Sequence, residues 1–421
     1  METLRISEMA ENLQGSEIIK LAGEIKEKIA NGEAIHNFTI GDFDPQVFPI
    51  PEELTEAIVT AYRNGETNYP AANGIAPLRK AVAHFIKSNL NLDYSPNEYL
   101  IAGGARPLIY AAYQALVNPG EKVLFPVPSW NNNHYSHLSH ADKIMIETQP
   151  ENNFMPSAAE LIPHLPQAGL VALCSPLNPT GTVFSKEGLA EICAAILAEN
   201  KRRGPDTKPV YLIYDQIYWV LTHGTTEHVN PVEVCPEIKP YTIFIDGLSK
   251  AFAATGVRVG WAFGPLKIIN AMKSILGHIG AWAPKAEQVA SAEYLVQEEA
   301  VNTYLESFKS DLNDRLQSFY DGIQNLKLNG HNVDAIAPQA AIYLTVKFDI
   351  RGKKTATGEV LENTADVCAY LLNEAKLAIV PFYAFGASKD STWFRLSVGT
   401  STLESIADCF KQLETALNKL N

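Results

Sequence analysis

The chain is short of cysteine, short of positive charge and free of long apolar runs, and each shortage closes off a class of protein. Five cysteines stand in 421 residues, namely Cys174, Cys193, Cys235, Cys368 and Cys409. An odd, scattered set with no CxxC pair excludes a disulfide scaffold and a cysteine-rich zinc module, and no metal site is expected. It reads as five reduced thiols in a reducing compartment. Lys and Arg number 34 against 47 Asp and Glu, a formal net charge of −13. So acidic a chain makes a poor partner for nucleic acid or for an anionic membrane surface. Local basic pockets for small anions stay open. Apolar residues nowhere run together for the 18 or so positions that a membrane-spanning helix needs. The stretch Met1–Glu11 is interrupted by acidic residues and has no apolar h-region, unlike a secretory leader. Repeats, low-complexity stretches and flexible linkers are also missing. A cytoplasmic protein is the simple expectation.

What remains is ordinary globular material, 46% hydrophobic and 19% charged, and long enough for two or three domains. Ala76 to Leu90 has helical spacing, with Leu78, Val82, Phe85 and Ile86 on one face. From there to Phe263 helices alternate with short apolar strands: 99–102, 122–125 closed by Pro126, 170–174, 210–214, 242–245 and 257–263. Continuous apolar strands separated by helices predict a mainly parallel sheet covered on both faces. The site of such a sheet lies outside the carboxyl ends of its strands. Gly103-Gly104, Asn178, Asp215 and Ser249-Lys250 all fall there. The charged, helical stretch 298–326 leads to a last section that mixes strands (342–346, 393–398) with helices (365–375, 403–420). We read it as a smaller α+β domain completed by the N-terminal segment, giving a large domain over 51–300 and a small one over 1–50 and 301–421.

Several residues at those strand ends suit chemistry. Lys250 stands in Gly247-Leu248-Ser249-Lys250-Ala251-Phe252-Ala253-Ala254-Thr255-Gly256-Val257-Arg258. A lysine flanked by small residues on a strand-end loop is a candidate Schiff-base nucleophile, although a lone lysine is more often a solvated surface residue. Asp215 closes an apolar strand in Tyr214-Asp215-Gln216-Ile217-Tyr218, a place where Asp also serves as a turn residue. Gly103-Gly104-Ala105-Arg106 opens a helix, whose free N–H groups favour an anion. Ser175-Pro176-Leu177-Asn178-Pro179-Thr180-Gly181 is turn-like. Arg395 lies mid-strand in an apolar run, where an unpaired charge would be costly.

Together, and in this order, these strings resemble the class I/II aminotransferases that use pyridoxal 5'-phosphate, the aspartate-aminotransferase-like enzymes of fold type I. The matching landmarks run from residue 41 to residue 399, nearly the whole chain. The resemblance implies a seven-stranded sheet in the large domain and a homodimer. It implies that Lys250 forms the Schiff base with the cofactor and later moves the substrate proton. Asp215 would pair with the pyridine nitrogen, and Tyr218 and Asn178 would bond the phenolic oxygen. Trp130 would stack on the ring. Gly104, Ala105, Arg106, Ser249 and Arg258 would hold the phosphate, joined by Tyr69 from the neighbouring subunit. Arg395 would grip the substrate α-carboxylate, with Gly41 and Asn178 beside it. Family members often carry cis bonds at the positions of Pro176 and Pro179. The activity implied is ping-pong transfer of an amino group from an L-amino acid to a 2-oxo acid.

The chain departs from its relatives at Ala105, where many have Ser, Thr or Lys, and at Arg106, where many have Gln. No arginine lies between Arg258 and Arg315 to serve a substrate side-chain carboxylate, which argues against strict acidic-substrate preference by that route and leaves Arg106 as the substitute. Asp42, Asp44 and Asn131 are further candidates for shaping the pocket. A β-lyase or other elimination enzyme on the same fold shares these motifs. A ligand-sensing regulator is disfavoured by the acidic charge.

Overall fold

The computed structural model describes residues 5–13 and 17–421, with the side chains of 17–19 excepted. Residues 1–4 of the N-terminal stretch read above lie outside the described residues. Seven strands form the main sheet: β1 (Tyr99–Ala102), β2 (Lys122–Val127), β3 (Asp142–Glu147), β4 (Ala168–Cys174), β5 (Tyr211–Asp215), β6 (Thr242–Gly247) and β7 (Gly260–Phe263). Their spatial order is β1-β7-β6-β5-β4-β2-β3. Only β7 runs against its neighbours; the remaining pairs are parallel.

Successive side chains of a strand point to opposite faces, and both faces here are covered. Leu212 and Tyr214 of β5 enter one core with Leu78, Ile86, Leu189 and Ile196. Ile213, between them, enters the other with Ile109, Leu116, Met272 and Leu276. The first face is thus covered by helices Ala76–Leu90 and Lys186–Arg203, the second by Ala105–Leu116 and Leu266–Ile279. Burial on both faces is why these strands are continuously apolar.

A second, antiparallel sheet has four strands in the order Val380–Pro381, Trp393–Ser397, Tyr343–Phe348 and Val333–Ala335. Helices Glu298–Leu328, Thr364–Glu374 and Leu403–Leu417 accompany it. The N-terminal segment joins this smaller part: His36–Asn37 pairs in parallel with Leu377–Ala378, and Ile25 of helix Glu17–Ala30 packs with Leu372 and Ala378.

Local differences from the sequence reading have physical causes. Strand β3 went unread because it is a sheet edge, with Asp142, Lys143, Met145 and Glu147 exposed. Strand β2 continues through Pro126 to Val127, where its ladder faces β3 rather than ending. Arg258 does not begin the last strand. It has φ 60°, a left-handed turn conformation, and β7 starts at Gly260. Lys250 stands on a single helical turn, Leu248–Ala251, rather than on a loop.

Candidate active site

The carboxyl ends of the parallel strands open into a cavity of about 620 Å³, a size typical of small-molecule sites. Twelve of the residues singled out from the sequence line it: Gly41, Asp42, Ala105, Arg106, Trp130, Asn178, Asp215, Tyr218, Ser249, Lys250, Arg258 and Arg395. Gly104 lies just beneath, where an added Cβ would overlap the Arg258 guanidinium. Tyr69 stands apart: it is 82% exposed, and its ring meets Trp282 at 5.1 Å.

Lys250 donates from Nζ to the Gly41 carbonyl at 2.7 Å. Burial pushes its amine down to about 8; Asp42 opposes this, and Arg395, Arg106 and Arg258 add to it. Asp215 ends β5, and its Oδ1 accepts from the Ile217 N–H at 3.1 Å. Burial raises this carboxyl to about 6. A cation placed against it would draw that value back down.

Arg258 is tied by its own turn: Nη1 donates to Thr255 O and Nη2 to Gly103 O, both at 2.7 Å. It thereby stands over the opening of helix Ala105–Leu116, whose first N–H groups have no intrahelical partner. Guanidinium, helix N-terminus and the buried Ser249 hydroxyl make a cradle suited to a phosphate. On the small-domain side, Arg395 is 2% exposed. It donates from Nη2 to Thr39 O at 2.6 Å and from Nη1 to Asn178 Oδ1 at 3.2 Å. Its Nε has no partner among the described residues. A buried guanidinium with an unused donor is suited to a carboxylate. Arg106 makes no hydrogen bond or ion pair among the described residues; its guanidinium rests 5.4 Å from the centre of the Trp130 ring.

The peptide bonds before Pro128, Pro176 and Pro179 are cis. Asp42 lines the cavity, but Asp44 and Asn131 do not; Asn132 is the neighbour that does. The sequence reading missed Tyr343, Thr39 and Ala22 on the wall. Tyr343 opens a strand and reads as core. Thr39 and Ala22 arrive on the N-terminal segment, and nothing in their own sequence marks them. Among the described residues no group of three or more His, Cys, Asp or Glu could hold a metal ion. The five cysteines are unpaired.

An amine of depressed basicity, a half-buried carboxyl, a cradle suited to an anion and a buried arginine with an unused donor on one cavity suit pyridoxal phosphate and an amino acid. Comparison with known proteins agrees. The family model for aminotransferases of class I and II matches residues 34–409, and the chain belongs to that family. It is a pyridoxal-phosphate-dependent aminotransferase, moving an amino group between an amino acid and a 2-oxo acid. Among its relatives is the aspartate aminotransferase of Bacillus sp. (strain YM-2), 28% identical over 97% of this chain and 98% of that one. A probable aspartate/prephenate aminotransferase of Rickettsia bellii (strain RML369-C) is 30% identical over 89% and 90%. The crystal structure of the aspartate aminotransferase from Rhizobium meliloti superimposes with a TM-score of 0.90 over 100% of both chains, at 26% identity.

Proposed function

We propose that Lys250 carries the cofactor and moves the proton in each half of the ping-pong cycle. Pyridoxal phosphate, when bound, supplies an electron sink that makes the substrate Cα proton acidic. The observation that carries the assignment is the placement of Nζ of Lys250 in the same cavity as the partly unused Arg395 fork. Arg395 takes the α-carboxylate, which orients Cα toward that amine. With its basicity lowered to about 8, a useful fraction of Nζ is unprotonated near neutrality, as a general base must be. Asp215 holds a ring nitrogen cationic, and Asn178 and Tyr218 face the phenolic oxygen. Gly104, Ala105, Ser249 and Arg258 hold the phosphate. Trp130 covers the ring. Lys250→Ala is expected to abolish the visible cofactor band and the turnover of amino acids; retained turnover would remove the assignment.

For the substrate, the reading we favour is an acidic amino acid. Its support is Arg106, a cavity guanidinium with no acid partner among the described residues, together with relatives named for aspartate. Arg106→Gln is expected to lower kcat/KM for aspartate roughly ten- to a hundredfold, the worth of one charged hydrogen bond, while sparing a neutral amino acid. An equal loss on both would exclude the role.

We also propose a homodimer in which Tyr69 reaches the partner subunit's phosphate site, a role supported by its exposure on its own chain. A large domain over 51–300 and a small one over 1–50 and 301–421 fit the separation of the two sheets. A cytoplasmic setting fits the unpaired thiols; no described helix is long and apolar enough to cross a membrane.

A further inference from the structure

Tyr343 belongs to neither the cofactor residues nor the carboxylate residues named above, yet it touches both. It opens the strand Tyr343–Phe348 and is 2% exposed. Its ring sits under the Arg395 guanidinium at 4.8 Å, and Phe385 lies 4.9 Å from the same guanidinium. The register explains the first contact. Tyr343 faces Ser397 and Thr345 faces Arg395, so Tyr343 and Arg395 are diagonal neighbours on one face of the small sheet. Its hydroxyl reaches the large domain, where it lies 2.6 Å from the Tyr218 hydroxyl. The two rings meet nearly edge to face, 5.5 Å apart at 70°. Gly41 is close as well, since a Cβ added there would fall 2.8 Å from the Tyr343 oxygen.

Each phenol has one proton to donate. If Tyr218 spends its proton on Tyr343, it has none for a ligand. If Tyr343 donates to Tyr218, the Tyr218 proton is free to turn into the cavity. A hydroxyl that accepts one hydrogen bond is also polarised into a stronger donor. We infer that Tyr343 is a positioning residue, which donates to the Tyr218 oxygen and so aims and strengthens the Tyr218 hydroxyl as a donor into the cavity. The inference rests on the reading that Tyr218 faces the cofactor's phenolic oxygen. Arg395, Lys250, Asp42 and Cys174 are the charged or titratable groups around the pair. Neither hydroxyl makes a hydrogen bond to any of them.

A donor to the phenolic oxygen stabilises its anion and weakens its hold on a neighbouring proton. Weakening that donor must therefore raise the pH at which the bound cofactor's visible band titrates. The experiment is a spectrophotometric pH titration of the loaded enzyme and three variants. Tyr218→Phe is expected to raise the midpoint. Tyr343→Phe, which removes one oxygen and keeps the ring under Arg395, is expected to raise it by about 0.5–1 pH unit, the size of one neutral hydrogen bond. The double variant is expected to match Tyr218→Phe alone. An unchanged midpoint in Tyr343→Phe, or a shift that persists in full when Tyr218 is already Phe, overturns the inference. A Tyr218→Phe variant with an unmoved midpoint removes the underlying reading, and the inference with it. If Tyr343→Phe fails to hold cofactor, 3-fluorotyrosine at position 343 supplies the answer: a more acidic phenol must move the midpoint down, and no movement overturns the inference.

Discussion

Arg395 is a buried charge and Asp215 a half-buried one, and neither has an ion-pair partner among the described residues. Burial raises the Asp215 carboxyl to about 6, and a cation set against it would draw that value down. Asp215→Asn keeps the shape and removes the charge. We expect it to cost roughly ten- to a hundredfold in kcat, the worth of one charged hydrogen bond, with a faster loss of cofactor on dialysis. Arg395→Lys is no conservative change, because an ammonium cannot present a fork. It should raise KM for amino acid and 2-oxo acid alike, while the cofactor band of the resting enzyme stays in place. Away from the cavity, His223 is 3% exposed, and its Nε2 donates to Ala341 O at 2.8 Å. Its Nδ1 is buried with no partner among the described residues, and burial pushes the ring down to about 4. An unfolded histidine takes up its proton near 6.5. Stability supplied by the neutral ring is therefore present above 6.5 and lost as pH falls toward 4. The slope is up to about 1.4 kcal/mol per pH unit. Melting temperatures measured across that window should fall, and His223→Gln should flatten the curve.

At the scale of elements, β7 and the helix that opens at Ala105 approach too closely for a side chain between them. A Cβ on Gly260 would run into the backbone of Gly104 and Ala105. Gly260→Ala must push the helix opening away from Arg258. We expect a destabilisation of about 1–3 kcal/mol, with weaker retention of pyridoxal phosphate, measurable by equilibrium dialysis. The same comparison of elements explains what could be read from the chain alone. Strands β4, β5 and β6 were legible because burial on both faces makes each an unbroken apolar run, and their polar ends marked the site. Edge strand β3 has charge at both ends, Asp142-Lys143 and Glu147, and gave an apolar run of only three residues. Tyr343 hid for the opposite reason: a tyrosine leading Leu344-Thr345-Val346 looks like core, and its function comes from a hydroxyl contact with a residue 125 positions away. Spacing along a chain does not report contacts of that range, whereas the motif around Lys250 is local and carries its meaning in one string.

For the whole molecule, the unanswered surface is the one that Tyr69 occupies. Tyr62, Leu266 and Ile279 are likewise large apolar side chains left 47–57% exposed. A dimer that covers them predicts a mass near twice 46.2 kDa in sedimentation. It also predicts that Tyr69→Phe weakens cofactor binding without altering that mass. Within one chain, the smaller part is assembled from distant segments. His36–Asn37 pairs with Leu377–Ala378, and the carbonyl of Thr39 holds Arg395. About 340 residues separate His36 from its strand partner. At ribosomal speeds of about 5–20 residues per second, that interval lasts roughly 17 to 70 s. In its last third, once Phe263 has been made, the large sheet can fold while the segment that carries Gly41 and Thr39 still has nothing to pair with. The turn that holds Arg258 over the helix opening can therefore form before the contact between Thr39 and Arg395, so in a nascent chain a cradle suited to a phosphate would precede the small-domain side of the cavity.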